Sequence, residues 1–112
     1  MAYQAITPTL LGQAEMTTTY LAIYTCPANT RTYVKDITII NTTSSAKRIY
    51  VNLVPDQGTV GTGNALFYNN LLPAYTTVQW TGAQILNASD TVQVKADATG
   101  CTVNVTGGEA TE

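Results

Sequence analysis

The side chains that could do chemistry are few in this sequence of 112 residues. It contains no histidine, which removes the usual general base, the Ser-His-Asp and Cys-His pairs, and the commonest metal ligand. The two cysteines, Cys26 and Cys101, are too few and too far apart in the sequence to form a zinc site without histidine. The sequence therefore predicts no catalytic residue of these types, no metal site and no cofactor.

Carboxylates could still supply the acid and the base of a glycosidase. The acidic residues, however, are expected near turns, at a terminus or at outward strand positions: Glu15, Asp36, Asp56, Asp90, Asp97, Glu109 and Glu112. Asp90 and Asp97 are interpreted as turn formers, and Asp36 as a residue on a solvent-facing strand face. The segment GTVGTGN has the glycines of a phosphate-binding loop, but neither Lys-Ser/Thr nor a helix follows it. We therefore expect the protein not to be an enzyme.

Two interpretations of Cys26 and Cys101 stay open. Both fit small core residues, because free cysteine is among the most buried residue types and Cys101 shares a strand face with Val103 and Val105. They also fit a disulfide, within the chain or between subunits, that forms after release from a reducing cytoplasm.

Composition limits the class of protein. The chain is 45% hydrophobic and only 11% charged, whereas charged residues make up about 25% of a typical soluble domain. Much of its surface must therefore be neutral and partly covered by partners. The net charge is −2, and Lys47-Arg48 is the one adjacent basic pair, which argues against nucleic acid as a partner.

No signal peptide or membrane helix is expected in residues 1–16, so the protein is predicted to be made in a cytoplasm and to have no membrane partner.

The sequence predicts strands and turns throughout, and these elements position the residues discussed above. Segments rich in Thr, Tyr, Val and Ile alternate with short turns containing Asn, Asp, Gly or Pro; the predicted strands are residues 17–25, 32–40, 48–54, 65–72, 75–80, 90–97 and 101–106. Period-2 patterns place Ile49, Val51 and Leu53 on one face of their strand. The same patterns align Val92 with Val94 and Ala96, and Cys101 with Val103 and Val105. The fold class is therefore predicted as all-β, an antiparallel β-sandwich or jelly-roll-like barrel of about seven or eight strands.

Residues 1–16 are predicted as an N-terminal arm and residues 17–112 as a single β-sandwich domain. The arm contains Ile6, Leu10 and Leu11, which are apolar enough to need cover. It is either an edge strand of the same sandwich or a tie that reaches a neighbouring subunit. Three aromatic residues near the segment NNLLPAYTTVQW, Tyr68, Tyr75 and Trp80, are candidates for exposure, as interface anchors or as stacking faces for sugars.

Most of residues 18–109 resembles the small β-structured virion proteins of tailed bacteriophages. The resemblance lies in the motifs Tyr-Thr-x-Pro-Ala, Asn-Thr, Val-Pro-x-x-Gly-Thr and Leu-Asn-Ala-x-Asp-Thr, which begin at residues 24, 41, 54 and 86. Where that family has plain apolar or small residues, this chain has Cys26 and Cys101. The resemblance implies an accessory structural protein of the particle, such as head decoration or a component of the neck, collar, tail or fibre.

Residue chemistry and resemblance lead to the same functional hypothesis. The protein is expected to bind other copies of itself, as a homotrimer that the resemblance implies, together with other virion proteins, and to reside in the virion after assembly in the bacterial cytoplasm. The alternative is a receptor- or glycan-binding module of a phage tail or fibre, with Tyr68, Tyr75 and Trp80 as the stacking residues.

Overall fold

Strands joined by short turns account for nearly all of residues 5–111, the part of the chain that the computed structural model describes. They are β1 (Thr7–Glu15), β2 (Leu21–Thr25), β3 (Thr30–Asn41), β4 (Lys47–Val54), β5 (Ala65–Leu72), β6 (Thr77–Leu86), β7 (Thr91–Ala96) and β8 (Cys101–Thr111). One turn of 3₁₀ helix, Thr62–Asn64, precedes β5. These β-branched and aromatic segments suit a pleated, half-buried surface.

The strands form two four-stranded antiparallel sheets. Sheet A has the order β1-β8-β3-β6 and sheet B the order β2-β7-β4-β5. Every connection except that from β4 to β5 crosses from one sheet to the other. This connectivity is that of an eight-stranded jelly roll, and the predicted fold class is confirmed.

The core lies between the inner faces of the two sheets. Sheet A contributes Val34, Ile37, Ile39, Val103 and Val105, and sheet B contributes Ile49, Val51, Val92 and Val94; all of them are fully buried. The three period-2 faces predicted from the sequence all point into this core, as expected when alternate side chains of a strand face opposite sides of a sheet.

The N-terminal segment is part of the sandwich. Residues 7–15 form β1, which pairs with β8 from Thr7↔Glu109 to Glu15↔Thr102 and lies at the edge of sheet A. Leu11 points inward and is only 7% exposed. A bulge between Leu10 and Gly12 keeps this register although Pro8 and Gly12 are weak strand formers.

Two buried asparagines hold the turns in place. Asn41 donates to the carbonyl oxygens of Ser45, Leu72 and Pro73, and its side-chain oxygen accepts from the Thr43 amide and hydroxyl. This joins the β3–β4 turn to the β5–β6 turn at one end of the sandwich.

Asn52 makes a similar connection under the longest loop. It donates to the Gly61 carbonyl at 2.9 Å and to Asn64 Oδ1 at 2.7 Å. The loop between β4 and β5 is thus folded back over the outer face of β4, where Val54 is also buried.

The close approach of β8 to β3 generates a stability prediction. A methyl group on Gly107 would lie 1.8 Å from the Tyr33 carbonyl oxygen, so Gly107→Ala must push the two strands apart. We expect a loss of about 2–3 kcal/mol in the free energy of unfolding, measured by urea denaturation. Gly63→Ala is the control, because a methyl group there meets nothing within 4 Å, and its effect should stay within about 0.5 kcal/mol. Equal stability of the two variants would contradict the requirement for glycine at this approach.

Candidate interaction surface

The carboxylates do not converge. Within residues 5–111, no group of three or more His, Cys, Asp or Glu side chains is arranged to hold a metal ion. Asp90 is a turn former as predicted, since its two oxygens accept from the Asp56 and Asn87 amides at 2.8 and 2.9 Å. Asp36 accepts hydrogen bonds from Thr38 and Gln79. Glu112 lies outside the described residues.

Glu109 was expected near a turn, a terminus or an outward strand position, and it lies on β8 with its side chain directed inward. It pairs across the sheet with the buried Thr32 and accepts a hydrogen bond of 2.5 Å from the Tyr24 hydroxyl. The Tyr24 hydroxyl in turn lies 2.7 Å from Thr32 Oγ1; because its proton is directed at Glu109, Thr32 is the donor of that second bond. Burial, followed by the hydrogen bond to Glu109, raises the pKa of Tyr24 well above its ordinary value.

The cysteines are buried and free. Cys26 Sγ lies 3.2 Å from Thr32 Oγ1 and 3.4 Å from the Thr30 carbonyl oxygen. Cys101 pairs in register with Asn41, nine residues further along β3 than Thr32, which corresponds to roughly 30 Å. A disulfide requires Cα atoms within about 7 Å. A disulfide within one chain is therefore excluded.

A disulfide between subunits stays a prediction, and it would require a thiol to leave its buried position. Burial, with a contribution from the Asp97 carboxylate, raises the pKa of the Cys101 thiol. This favours the unreactive protonated form. The core-residue interpretation describes both side chains as they lie in this structure.

The six candidate interface residues separate into two groups. Tyr75 is 71% exposed, Leu10 58%, and Ile6 and Tyr68 are also exposed, so these four are available for contacts. Leu11 belongs to the core and Trp80 is half-buried against it, which removes both from the candidate surface. Trp80 was expected to be exposed, but it lies on an inward position of β6, beside Ile37 of β3.

The aromatic residues proposed for sugar stacking do not share one surface. Tyr68 instead packs edge-on against Tyr50, with ring centroids 5.7 Å apart, and Tyr50 against Tyr20 at 6.4 Å. The Lys95 ammonium lies 4.6 Å from the Tyr50 ring centroid and 5.2 Å from that of Tyr20. These cross-strand and cation–π contacts stabilise the outer face of sheet B.

Both sheets end in exposed edge strands. β5 and β6 are the last strands of sheets B and A on one side of the sandwich, and β1 and β2 are the last strands on the other. Most side chains of β5 and β6 are exposed, including Leu71 and Ile85. Each outer edge presents backbone N–H and C=O groups that no strand within residues 5–111 pairs.

Comparison with known proteins yields structural likeness alone. No protein-family model matches the sequence, and no curated protein matches it. Among solved structures, the chain is similar to a protein from the Bacillus endospore appendages, which are described as a novel family of disulfide-linked pili. The TM-score is 0.53, with 12% identity over 99% of this chain and 94% of that one. The two chains thus have the same fold over nearly their whole length.

Two further similar structures come from a virus. A chain of infectious bursal disease virus, Gx strain, has a TM-score of 0.49 and 9% identity, over 95% of this chain and 32% of that one. A chain of the T13 particle of the same virus has a TM-score of 0.48 and 10% identity, over 95% and 30%. The protein spans less than a third of those viral chains. In residues 5–111 no helix has the length and apolar character needed to cross a membrane.

Sequence reasoning missed the contact of Glu109 with Tyr24 and the role of Tyr20 and Lys95. The first miss follows from ending the last strand at residue 106, before Gly107 and Gly108, so that the inward position of Glu109 was not considered. A signal was available for the second: Tyr50 lies on the outward face with Arg48, where aromatic and basic residues of neighbouring strands meet.

The Tyr24 contact generates a pH-dependent prediction. The pKa of Tyr24 is raised in the folded state above the ordinary tyrosine pKa of 10.0. Above pH 10 the unfolded chain therefore loses the Tyr24 proton, whereas the folded protein keeps it. The stabilisation is therefore fully present below pH 10 and is lost as the pH rises towards the folded pKa. Tyr24→Phe should lower the free energy of unfolding by about 1 kcal/mol at pH 7, and this difference should shrink between pH 10 and 11.5.

Urea denaturation at a series of pH values measures this difference. Tyr68→Phe, which alters an exposed phenol, is the control and should change the free energy of unfolding by less than about 0.5 kcal/mol at pH 7. A Tyr24→Phe deficit that stays constant up to pH 11.5 would show that burial and the contact with Glu109 do not raise the pKa of Tyr24.

Proposed function

We propose that the protein is a non-enzymatic structural subunit that assembles with copies of itself into a larger particle or fibre. The observation that carries this proposal is the pair of exposed sheet edges, β5 and β6, on one side of the sandwich and the second pair, β1 and β2, on the other. An unpaired strand edge is a template for pairing with another chain.

The edges formed by β5 and β6 have neither charge nor proline to oppose such pairing. β5 and β6 contain no Lys, no Pro and no other charged residue, and both carry exposed aliphatic side chains, Leu71 and Ile85. Natural sheets that remain monomeric commonly place charges or proline on their edges. Two such edges, of eight residues in β5 and ten in β6, supply main-chain hydrogen bonds and apolar contacts within one interface.

The low charge of the chain supports the same function. With 11% charged residues, neighbouring copies meet little electrostatic repulsion, while exposed Thr, Asn and Gln side chains offer hydrogen bonds to a partner. In a repeated assembly, weak individual contacts are sufficient because avidity multiplies them. The similar pilus protein is itself a component of a fibre, and this supports a comparable structural role for the chain.

Within this class, the sequence resemblance favours a component of a tailed-bacteriophage particle. We propose decoration of the head or a place in the neck, collar or tail, with other virion proteins as partners and the virion as its location. A homotrimer is the closed form of such an assembly and a fibre its open form. Glycan binding is the second candidate, and the separation of Trp80 from Tyr68 makes it the weaker one.

Self-association tests the function directly. Mass photometry and light scattering between about 0.1 and 50 μM, with negative-stain electron microscopy, should show oligomers or fibres that grow with concentration. The double variant Leu71→Lys, Ile85→Lys adds a charge to each exposed edge. The variant should need a concentration at least tenfold higher than the parent to form assemblies of the same size. Its melting temperature should stay within a few degrees of the parent's.

The double variant Thr18→Lys, Thr19→Lys is the matched control, because it adds the same two charges in the exposed β1–β2 turn, away from β5 and β6. A parent protein that remains monomeric at every concentration would contradict the proposed function. If the edge variant and the control assemble alike, the subunits associate through surfaces other than β5 and β6.

A further inference from the structure

Tyr75 occupies a backbone position that favours a different residue. It is the third residue of the turn from Pro73 to Thr76, which the Thr76 amide closes by donating to the Pro73 carbonyl at 3.3 Å. Its φ is 56°, in the left-handed region where glycine and asparagine are accommodated at little cost and an aromatic residue is strained. The other residues with positive φ are Asn29, Gln57, Asn69, Ser89 and Gly100, none of which is aromatic.

Burial does not account for this residue either. Tyr75 is the most exposed large hydrophobic residue among those described, at 71%. Its amide donates to the Thr43 carbonyl at 3.1 Å, and the Asn41 amide donates to the Thr76 carbonyl at 2.8 Å, so the backbone of the turn is held at one end of the sandwich. An exposed aromatic side chain on a strained backbone position points to a contact outside the chain.

A surface suited to an aromatic ring lies on the outer face of sheet A. Both neighbours of β8 are irregular at the same level: β1 bulges between Leu10 and Gly12, and β3 bulges between Val34 and Asp36. The bulges open a shallow depression of about 450 Å³, which we call the crease, lined by Pro8, Thr9, Leu10, Lys35, Thr106 and Gly107. Bulges commonly re-aim side chains at binding sites.

The lining of the crease matches a tyrosine side chain. Pro8 and Leu10, which is 58% exposed, offer apolar contact to the ring. Lys35 is exposed and supplies an ammonium for a cation–π contact, the same pairing that the chain makes between Lys95 and Tyr50 at 4.6 Å. Thr9 and Thr106 carry hydroxyls that can bond a phenol.

Tyr75 cannot reach the crease of its own chain. Its amide is bound to Thr43, beyond the end of β3, whereas Lys35 lies six residues before Asn41 on that strand, which corresponds to about 20 Å. The occupant must then come from a second copy.

We propose that Tyr75 of one subunit inserts into the crease of the next, in a head-to-tail contact between copies of this chain. In this head-to-tail arrangement the contact is heterologous. It repeats either to close into a ring or to form an open fibre, which has a free Tyr75 at one end and a free crease at the other. The inference rests on the proposed function, since it identifies one contact of the self-association proposed there.

Tyr75→Asn tests the aromatic side of the contact. Asparagine tolerates the positive φ, so the melting temperature should equal or exceed that of the parent, while association should weaken at least tenfold. Gln57→Asn is the matched control: Gln57 has φ 61° in the turn that the Gly58 amide closes on Pro55. The melting temperature of Gln57→Asn should likewise equal or exceed that of the parent, and its association should not weaken.

Complementary variants test the pairing itself. Leu10→Asp should weaken association as Tyr75→Asn does, because it places a carboxylate at the apolar rim of the crease. Mixed at a concentration where each alone is monomeric, the two variants should form one-to-one heterodimers and stop there, since only one intact Tyr75 and one intact crease can meet. Circular dichroism melting of each variant checks that both are folded.

The outcomes separate the two proposals. Heterodimers in the mixture support the contact. Variants that assemble as the parent does, or a mixture that stays monomeric while both variants are folded, overturn this contact and leave self-association intact. A parent protein that never associates overturns both.

Discussion

The pairing of β3 with β8 is the interaction on which the rest of the structure depends. It runs from Thr30↔Thr111 to Asn41↔Cys101 and joins the middle of the chain to its C-terminal part. Both other strands of sheet A attach to this pair, β1 to β8 and β6 to β3. The Tyr33 carbonyl approaches β8 so closely at Gly107 that there is no room for a side chain. This one glycine therefore sets the spacing between β3 and β8 at the centre of the sheet.

The same pairing explains the polar contacts inside the sandwich. In register with Thr32, Glu109 faces the interior, where a lone carboxylate would be costly. The Tyr24 hydroxyl from sheet B supplies the donor, and this hydrogen bond connects the two sheets at the end opposite Asn41. Buried polar groups at both ends thus fix how the sheets lie on each other, while the apolar middle supplies most of the stabilisation.

The sequence was sufficient to predict the class of fold and the central strands, because period-2 alternation has a direct physical cause in the pleat. Val51, Val94 and Val103 are buried as their patterns predicted. Local signals failed where long-range pairing overrides them. Pro8 and Gly12 read as breakers, yet β1 forms because β8 offers it a ladder, and Gly107 read as a strand end although the sheet requires it there. The inward position of Trp80 matches a local signal that the prediction of exposure did not use, because Val78 and Trp80 alternate with the polar residues Thr77, Gln79 and Thr81.

The same contrast between local signals and long-range pairing applies to the surface residues. Exposure of Tyr68 and Tyr75 could be inferred from turn residues around them, whereas the crease could not, because it arises from two bulges on strands distant in sequence. Strain at Tyr75 is likewise invisible without backbone angles. Register shifts occur in both sheets, and those beside the crease, together with the strained turn at Tyr75, take part in the proposed contact. Irregular backbone has a free-energy cost that the core does not recover. Such features are expected where the surface meets another molecule, and a subunit that presents a knob at one end and a depression elsewhere carries the geometry for repeated assembly in a single sequence.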